Sequence, residues 1–456
     1  MRENSINEAF QTISFEDYLA PTDFDTKRVL ILMSNTGGGH RAAAEAIQEA
    51  LKHLYGSAIS VTIVDAWSQH VAWPVSELSH TYGWVVNEAL WLWKALWLLE
   101  HKPELVDTTL KSLYPLVAPG FLRLFNTQKP DVIVSVHPLI TLLPLLTLKR
   151  ARLHIPFITV VTDMVKGYHT WYDPHTSLCL VPTEPARQQA ISLGIAPDRV
   201  EVVGQPVALK FARGVGEKSE LRRKLGLNEE RPAVLIVGGG EGFGHVFDIA
   251  RSIAQQVNQA QLIIVAGRNK SLKKKLEAVT WEIPTTIFGF VDNMPEIMGA
   301  ADVMITKAGP GSISEAFVAG LPLILFDYIP GQEEGNVRYV VEHQAGVYQT
   351  NPDQIAALLG EWLRGDNPAL VQMAHNAARL AHPEAALTIA RHIYGQAQAR
   401  QRKWSTTKER ISRRIIAKMI SQARATITAK PRVIPKTIIG KVMNEAKIRE
   451  ILSIKQ

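Results

Sequence analysis

Short runs of β-branched and other apolar residues alternate with longer segments of helical periodicity through most of the chain. Strands that alternate with helices in this way predict parallel sheets with helices on both faces, the α/β class of fold. The predicted strands are 29–33, 61–64, 131–136, 157–162, 178–181 and 200–203 in the first half and 233–237, 261–266, 285–288, 303–306 and 323–326 in the second half.

The two halves of the chain share the same general order of predicted strands and helices. Residues between them are mixed and charged, which predicts a linker that contains a short helix. The pattern therefore predicts two Rossmann-like domains that face each other across a cleft. The predicted segments are a polar N-terminal segment at 1–27, a first domain at 28–206, the linker at 207–230, a second domain with C-terminal helices at 231–400, and a tail at 401–456.

The composition agrees with two folded domains. At 456 residues the chain exceeds one ordinary core, and 46% of its residues are hydrophobic, which is enough to bury two. A single cysteine, Cys179, excludes an intramolecular disulfide framework and favours a reducing compartment. Residues 1–26 are polar and acidic without the pattern of a secretory signal, and no stretch reaches the roughly 18 apolar residues of a spanning helix. We expect a protein that is not secreted and does not span a membrane.

Charge is distributed unevenly along the chain, whose net charge is +7. Residues 401–456 contain 15 Lys and Arg against 3 Asp and Glu, a net of +12, so the other 400 residues carry a net of −5. A basic tail of this kind binds polyanions, which are nucleic acid or anionic lipid headgroups. Because no nucleic-acid motif accompanies the tail, we expect an anionic membrane surface to be the partner, and not nucleic acid.

Tryptophan is concentrated in one segment of the first half. Six of the ten tryptophans, including Trp84 and Trp91, lie within 31 residues between Trp67 and Trp97. Indole rings suit the membrane–water interface, where the ring contacts lipid and its N–H reaches the headgroups. We interpret this segment as a membrane-contact element; the alternative is an aromatic-packed core under the first domain.

Three consecutive glycines, Gly37, Gly38 and Gly39, follow the first predicted strand and open an Ala-rich helix. Glycines let backbone amides approach a ligand closely, and the helix N-terminus behind them favours negative charge. The loop has neither the dinucleotide-binding nor the Walker A pattern. His40 lies at its tip, at the carboxyl edge of the predicted sheet, where an imidazole can remove a proton from a hydroxyl nucleophile. The alternative is an N-capping histidine without chemistry.

Two loops of the second half also follow predicted strands and suit a ligand. Residues 238–244, which include Gly240, form a flexible, amide-rich turn; the alternative is a purely structural tight turn. Residues 326–336 bring polar side chains together directly after a buried strand. A sugar, whose hydroxyls need donors and acceptors together, fits such a cluster.

A third loop, residues 306–316, is the most specific of these signals because it ends a strand and opens a helix. Gly311 and Ser312 lie where backbone amides point at an anion such as a diphosphate. Glu315, one turn into the helix, is placed to accept hydrogen bonds from a ribose diol. The alternative for Glu315 is a first-turn carboxylate that the helix dipole favours.

Within residues 307–346 the sequence includes KAGPGSISEA and DYIPGQEEGNVRYVVEHQAGV and resembles the monogalactosyldiacylglycerol synthases and the related processive diacylglycerol glucosyltransferases. The runs NTGGGHRAAAEAI, from Asn35, and TVVTDM…HTWYDP, at 159–174, resemble the same family. The resemblance implies an inverting glycosyltransferase of the GT-B fold. It also implies a UDP-hexose donor and no active-site metal or other cofactor.

The resemblance assigns roles to three residues of the first half. His40 matches the histidine proposed as general base, and Asp163 is either the base or the group that orients His40. A salt-bridged or capping carboxylate is the alternative for Asp163. Trp171 matches a tryptophan near the acceptor or lipid site and joins Trp84 and Trp91 on the predicted acceptor and membrane side. The plant-type sequence Cys-His-Pro-Thr-Trp is replaced by Gly-Tyr-His-Thr-Trp, so no role is carried over to His169.

The resemblance places the donor mainly on the second half. It implies uracil beside Phe290, ribose at Glu315, diphosphate at Gly311 and Ser312, and the hexose at Gln332 and Glu333. The predicted donor-binding residues, glycine loops included, are Gly38, Gly39, Gly240, Phe290, Gly311, Ser312, Glu315, Gln332 and Glu333.

The expected reaction moves a hexose from a UDP-sugar to the sn-3 hydroxyl of 1,2-diacylglycerol and gives a β-linked product. Galactose is favoured, with glucose as the alternative, and the enzyme is expected on the cytoplasmic face of a membrane as a peripheral protein. Three alternatives stay open: a glycosyltransferase for another lipid-linked acceptor, a UDP-sugar 2-epimerase of the same architecture, and a UDP-sugar sensor without turnover.

Overall fold

The computed structural model describes residues 26–34, 38–70, 103–212, 216–239, 245–365 and 367–399. The strands of the first sheet are β1 (Lys27–Met33), β2 (Ile59–Asp65), β3 (Val132–Ser135), β4 (Phe157–Val160), β5 (Leu178–Val181) and β6 (Val200–Val202). Their order is β2-β1-β3-β4-β5-β6, and every neighbouring pair is parallel.

The strands of the second sheet are β7 (Ala233–Val237), β8 (Gln261–Val265), β9 (Thr285–Phe288), β10 (Val303–Lys307), β11 (Leu323–Asp327) and β12 (Gly346–Tyr348). Their order is β12-β11-β10-β7-β8-β9, again with parallel neighbours only. The expected pair of Rossmann-like parallel sheets is therefore confirmed.

Helices connect the strands and cover both sheets. Those before the second sheet are α1 (Gly38–Tyr55), α2 (Ala66–His70), α3 (Pro103–Ser112), α4 (Tyr114–Gln128), α5 (Leu142–Ala151), α6 (Glu184–Ser192), α7 (Leu209–Ala212) and α8 (Lys218–Lys224). Those that follow are α9 (Val246–Gln256), α10 (Lys270–Glu277), α11 (Met294–Ala300), α12 (Pro310–Val318), α13 (Glu334–Glu342), α14 (Pro352–Trp362), α15 (Pro368–Arg379) and α16 (Ala385–Ala399).

The central strands are apolar at consecutive positions because both faces of each sheet are covered. In β7, Leu235 packs into one core cluster, while Val234 and Ile236 pack into the cluster on the opposite face. In β1, Ile31 and Leu30 divide between two clusters in the same way. Strands buried on both faces need continuous apolar runs, which is the pattern that predicted them.

The last helix of the described residues, α16, packs against the first domain although it follows the second domain in sequence. Its residues Ile389 and Ile393 belong to the core cluster of α1 and β1. The rings of Tyr55 and Tyr394 stack at 3.8 Å between centroids, and His392 Nε2 lies 3.0 Å from Glu201 Oε1. The apolar face of α16, at the C-terminal end of the predicted segment 231–400, is therefore buried against the first domain.

Two further differences from the predicted elements concern short segments. The linker contains two short helices, α7 and α8, where one was expected. The edge strand β12 was not predicted, because three residues beginning with a glycine carry little strand signal. Among the described residues, no helix is long and apolar enough to cross a bilayer. The positions of Trp84, Trp91, Gly240 and the basic tail lie outside the described residues.

Candidate active site

Each sheet has a point at which the order of its strands reverses. In the first sheet β1 lies between β2 and β3, and in the second β7 lies between β8 and β10. Ligands of open α/β sheets bind beyond the carboxyl ends of the strands at such points. The first point carries His40 after β1 and Val136 after β3. The second carries Gly239 after β7 and Lys307 at the end of β10.

His40 is the third residue of α1, and its ring is fixed against the end of β3. Its Nδ1 lies 2.8 Å from the carbonyl oxygen of Val136 and 3.0 Å from Thr162 Oγ1. Because a carbonyl oxygen only accepts, Nδ1 carries the proton of the neutral ring, and Nε2 carries the lone pair. The backbone carbonyl of Val136, directly after β3, thus sets the tautomer that a general base requires.

The surroundings of His40 keep its imidazole neutral. Burial lowers the pKa of His40 to about 4, and the hydrogen bond to Val136 opposes this only in part. The ring centroid of His137 lies 4.5 Å away, and burial also holds the pKa of His137 well below its usual value. Desolvation disfavours a charged imidazolium. His40 is therefore in the unprotonated form across the physiological pH range.

The carboxylate of Asp163 is held from both domains. It is 4% exposed. Its Oδ2 accepts a hydrogen bond of 2.7 Å from Trp171 Nε1, and its Oδ1 accepts one of 3.1 Å from the Gln332 amide nitrogen. Gln332 lies between β11 and α13, so this second bond joins the loop after β4 to the proposed donor-sugar loop.

Trp171, which the sequence assigns to the acceptor and membrane side, lies beside His40, with 6.1 Å between the two ring centroids. Its indole is fully buried at 0% exposure, which excludes direct contact between this ring and a bilayer. The ring packs so closely that a Cβ at Gly167 would lie 2.7 Å from Trp171 Cδ1. Nearby, His169 Nε2 lies 3.3 Å from Asp107 Oδ1 on α3. This burial has no local sequence signal, because exposed and buried indoles occur in similar local sequences.

The N-terminus of α12 lies where the sequence predicts an anion cradle. Gly309 precedes the helix in an extended conformation, and Pro310 begins it. N–H groups of the first helical turn have no acceptor within the helix, and those of Gly311 and Ser312 belong to this turn. Both residues are partly exposed, and a Cβ at Gly311 would meet no atom within 4 Å. Space and donors for a phosphate are thus present together.

Lys307 is a candidate that the sequence analysis missed. A Cβ at Gly239 would lie 3.2 Å from Lys307 Cε, and one at Gly309 would lie 3.9 Å from it. The ammonium is 3.5 Å from Glu333 Oε1. This cation therefore lies between the two loops that flank the switch point of the second sheet. A lysine that ends a strand two residues before a Gly-Pro-Gly run was the signal available in the sequence.

Glu315 lies one turn into α12 and is partly buried. Burial raises the pKa of Glu315 to about 7, and the positive charge of Lys210 opposes this shift in part. The ammonium of Lys210, on α7, also donates a hydrogen bond to the carbonyl oxygen of Asp292. A carboxylate with so high a pKa gains from ligand hydrogen bonds that favour its ionised form.

Glu333 and Gln332 adopt different roles in their loop. Glu333 is 4% exposed, and its Oε2 accepts a hydrogen bond from Ile329 N–H at 2.9 Å while its Oε1 faces Lys307. It therefore stabilises the loop. The carbonyl oxygen of Gln332 is buried without a hydrogen-bond partner among the described residues. Of the two predicted sugar contacts, only Gln332 presents a buried acceptor that no described residue satisfies.

Phe290 follows β9 at the carboxyl edge of the second sheet and is 64% exposed. The guanidinium carbon of Arg268 lies 4.4 Å from the centre of its ring. This places an aromatic ring and a cation at the edge where the sequence predicts the uracil. Within the described part of the chain, no group of three or more His, Cys, Asp or Glu side chains could hold a metal ion.

Two protein families match the two domains. Residues 40–207 match the family described as Monogalactosyldiacylglycerol (MGDG) synthase, and residues 233–389 match the Glycosyltransferase family 28 C-terminal domain. The monogalactosyldiacylglycerol synthase, chloroplastic, of Spinacia oleracea is 40% identical over 372 residues, which cover 80% of this chain and 71% of that protein.

Solved structures share the architecture. Acinetobacter baumannii MurG superposes with a TM-score of 0.53 at 15% identity and covers 81% of this chain and 99% of its own. The UDP-GlcNAc 2-epimerase of Neisseria meningitidis, bound to UDP-GlcNAc, has a TM-score of 0.52 at 15% identity, with coverage of 81% and 100%. At this identity the likeness shows the GT-B fold alone. The relationship in sequence is closer and decides the family: the chain belongs to the monogalactosyldiacylglycerol synthases.

Proposed function

We propose that this enzyme transfers galactose from UDP-galactose to the sn-3 hydroxyl of 1,2-diacylglycerol with inversion at the anomeric carbon. The proposal is supported by membership of the family and by the two switch points, which carry a neutral histidine and an anion cradle. The observation that carries it is the orientation of His40, whose Nδ1 bond to Val136 leaves the Nε2 lone pair for a hydroxyl proton.

In the proposed reaction the diacylglycerol oxygen attacks the anomeric carbon from the face opposite UDP. His40 Nε2 takes the hydroxyl proton as the new C–O bond forms and the bond to the diphosphate oxygen breaks. The carbonyl of Val136 stabilises the resulting imidazolium through Nδ1–H. Because the donor is α-linked, attack from the opposite face gives a β-linked product. No proposed step requires a metal or cofactor.

The leaving diphosphate gains negative charge as the bond to the sugar breaks. We assign its stabilisation to the amides of Gly311 and Ser312 at the start of α12 and to the ammonium of Lys307. These groups are in place before the reaction, so they need little reorganisation in the transition state. Phe290 and Glu315 are assigned to the uracil and the ribose, respectively.

Affinity for UDP-galactose is expected to rise with pH because Glu315 binds the ribose diol as a carboxylate. With a pKa of about 7, its ionised fraction increases about tenfold between about pH 6 and about pH 8, so Kd should fall about tenfold over that interval. A UDP-sugar suits the calorimetric titration, because its doubly esterified diphosphate does not titrate in this range. Glu315→Gln should bind weakly and independently of pH; a pH dependence that persists in this variant would contradict the assignment.

We propose further that the enzyme is a peripheral membrane protein. Its acceptor is lipid, the tail at 401–456 has a net charge of +12, and the Trp84 and Trp91 segment suits the interface. Each basic residue near an anionic surface contributes on the order of 1 kcal/mol of attraction. These segments lie outside the described residues, so the support comes from composition alone.

One reconstitution experiment tests both proposals. Purified enzyme is incubated with diacylglycerol vesicles of neutral or anionic composition, with UDP-galactose or UDP-glucose, and the lipid products are identified. We expect β-galactosyldiacylglycerol, formed faster on anionic vesicles and unaffected by added DNA. Formation of the glucolipid alone would reverse the donor assignment. Conversion of UDP-GlcNAc without any lipid product would favour the epimerase alternative.

A further inference from the structure

The carboxylate of Asp163 joins a buried indole in the first domain to the Gln332 amide in the second. The two hydrogen bonds, 2.7 Å from Trp171 and 3.1 Å from Gln332, engage different oxygens of the same carboxylate. Asp163 follows β4 of the first sheet and Gln332 follows β11 of the second, so this contact exists only when the two domains are apposed.

The first of these bonds fixes the carboxylate. The indole of Trp171 has a single N–H donor, and its ring is immobilised by complete burial in a core that includes Val161 and Tyr172. The Asp163 Oδ2 would also lie 3.3 Å from a Cβ at Gly167, so the backbone closes around the pair. Because Trp171 holds Oδ2, the carboxylate has a fixed orientation in which Oδ1 faces the second domain.

The second bond fixes the orientation of the Gln332 amide. A carboxylate only accepts hydrogen bonds, so the NH₂ group of Gln332 faces Asp163 and its carbonyl oxygen lies on the other branch of the amide. That oxygen is buried and has no partner among the described residues. Buried acceptors without partners are rare in native structures and call for an explanation such as a ligand. A sugar hydroxyl can supply the missing donor.

We propose that Trp171 and Asp163 are positioning residues that lock the Gln332 amide with its carbonyl oxygen facing the donor sugar. In this arrangement Gln332 accepts a hydrogen bond from a hexose hydroxyl, and the lock forms only in the closed cleft. In this proposal Asp163 orients Gln332, and His40 alone serves as the general base. The inference rests on the proposed function for the identity of the ligand as a UDP-hexose.

The test compares calorimetric affinities for UDP-galactose and UDP, which differ by the sugar. The single variants are Asp163→Asn, Trp171→Phe and Gln332→Ala. Asp163→Asn and Trp171→Phe are each also combined with Gln332→Ala. Asp163→Asn and Trp171→Phe should each weaken UDP-galactose binding about tenfold and leave UDP binding within about twofold. In the Gln332→Ala background neither should weaken UDP-galactose binding further, because the amide they orient is gone.

Tyr172→Phe is the matched control. It removes the hydrogen bond from Tyr172 to Gln189 Oε1 in the same core and should change neither affinity. Trp171→Phe keeps an aromatic ring in the buried site, so it decides the matter if Asp163→Asn does not fold.

Three results would overturn the inference. Equal weakening of UDP and UDP-galactose would make the contacts merely structural. Full additivity with Gln332→Ala would separate Asp163 from Gln332. If Asp163→Asn abolished turnover but left UDP-galactose affinity intact, in both the wild-type and the Gln332→Ala background, Asp163 would be the base. If the wild-type enzyme bound neither UDP nor UDP-galactose, the proposed function would fail instead, and the assay reports that outcome separately.

Discussion

Replacing His40 with alanine is expected to lower kcat for galactosyl transfer at least about 10²-fold while affinity for UDP-galactose stays within about twofold. The loss follows from the orientation of the ring, whose Nδ1 is tied to Val136 and whose Nε2 is the only nitrogen left to take a proton. Most donor contacts are assigned to the second domain, and His40 is not among them, so binding should survive. Calorimetry with UDP-galactose and initial rates on diacylglycerol vesicles measure the two quantities.

His137→Asn serves as the comparison for this variant. His137 Nδ1 accepts a hydrogen bond from Leu139 N–H at 3.2 Å at the start of a short 3₁₀ turn. Asparagine can accept in the same way as an N-cap, so packing beside His40 is altered while His40 remains. Turnover should fall far less than in His40→Ala. If His40→Ala retained wild-type turnover, the ring would have no part in proton transfer.

The pH dependence of kcat/KM is expected to depend on both Glu315 and His40. An acid limb near pH 7 in kcat/KM is expected from Glu315, whose pKa is about 7, because donor binding weakens as this carboxyl group is protonated. His40, with a pKa of about 4, should titrate well below that limb. Glu315→Gln should therefore remove the limb near neutrality while His40 remains intact.

Much of the site could be predicted because parallel strands place their following loops at one edge of a sheet. Once the apolar runs were identified as strands, the loops at Gly38–His40 and Gly309–Ser312 had to lie at carboxyl ends. A glycine in such a loop indicates from the sequence alone that the backbone can approach a ligand closely. The strand boundaries differ from the prediction by at most two residues at either end.

The features that could not be predicted from the sequence depend on contacts between distant segments of the chain. The Asp163–Gln332 bond spans 169 residues, and neither side chain carries a local signal for it. The burial of Trp171 reflects the packing of the first domain and not the HTWYDP sequence around it. The return of α16 to the first domain depends on which apolar surface remains uncovered, and periodicity alone does not say which sheet that surface belongs to.

The functional importance of Lys307 was also not predicted, because its place beside Gly239 depends on contacts between distant segments. Replacing Lys307 with methionine is expected to have the second large effect. Methionine keeps an unbranched stem between Gly239 and Gly309 but removes the ammonium. Turnover should fall about 10²-fold, since a fixed positive charge near a leaving diphosphate stabilises the transition state more than the ground state. Affinity for UDP should fall about tenfold, while affinity for uridine, which lacks phosphates, should not change.

The partner of Lys307 separates a structural from a catalytic loss. Lys307→Met leaves Glu333 buried at 4% exposure without its cation, which by itself destabilises the fold. Adding Glu333→Gln removes the uncompensated charge, keeps an acceptor for Ile329 N–H and should restore the melting temperature. Turnover should stay low in this double variant, because the diphosphate still lacks its cation. Recovery of turnover together with stability would show that Lys307 serves only to neutralise Glu333.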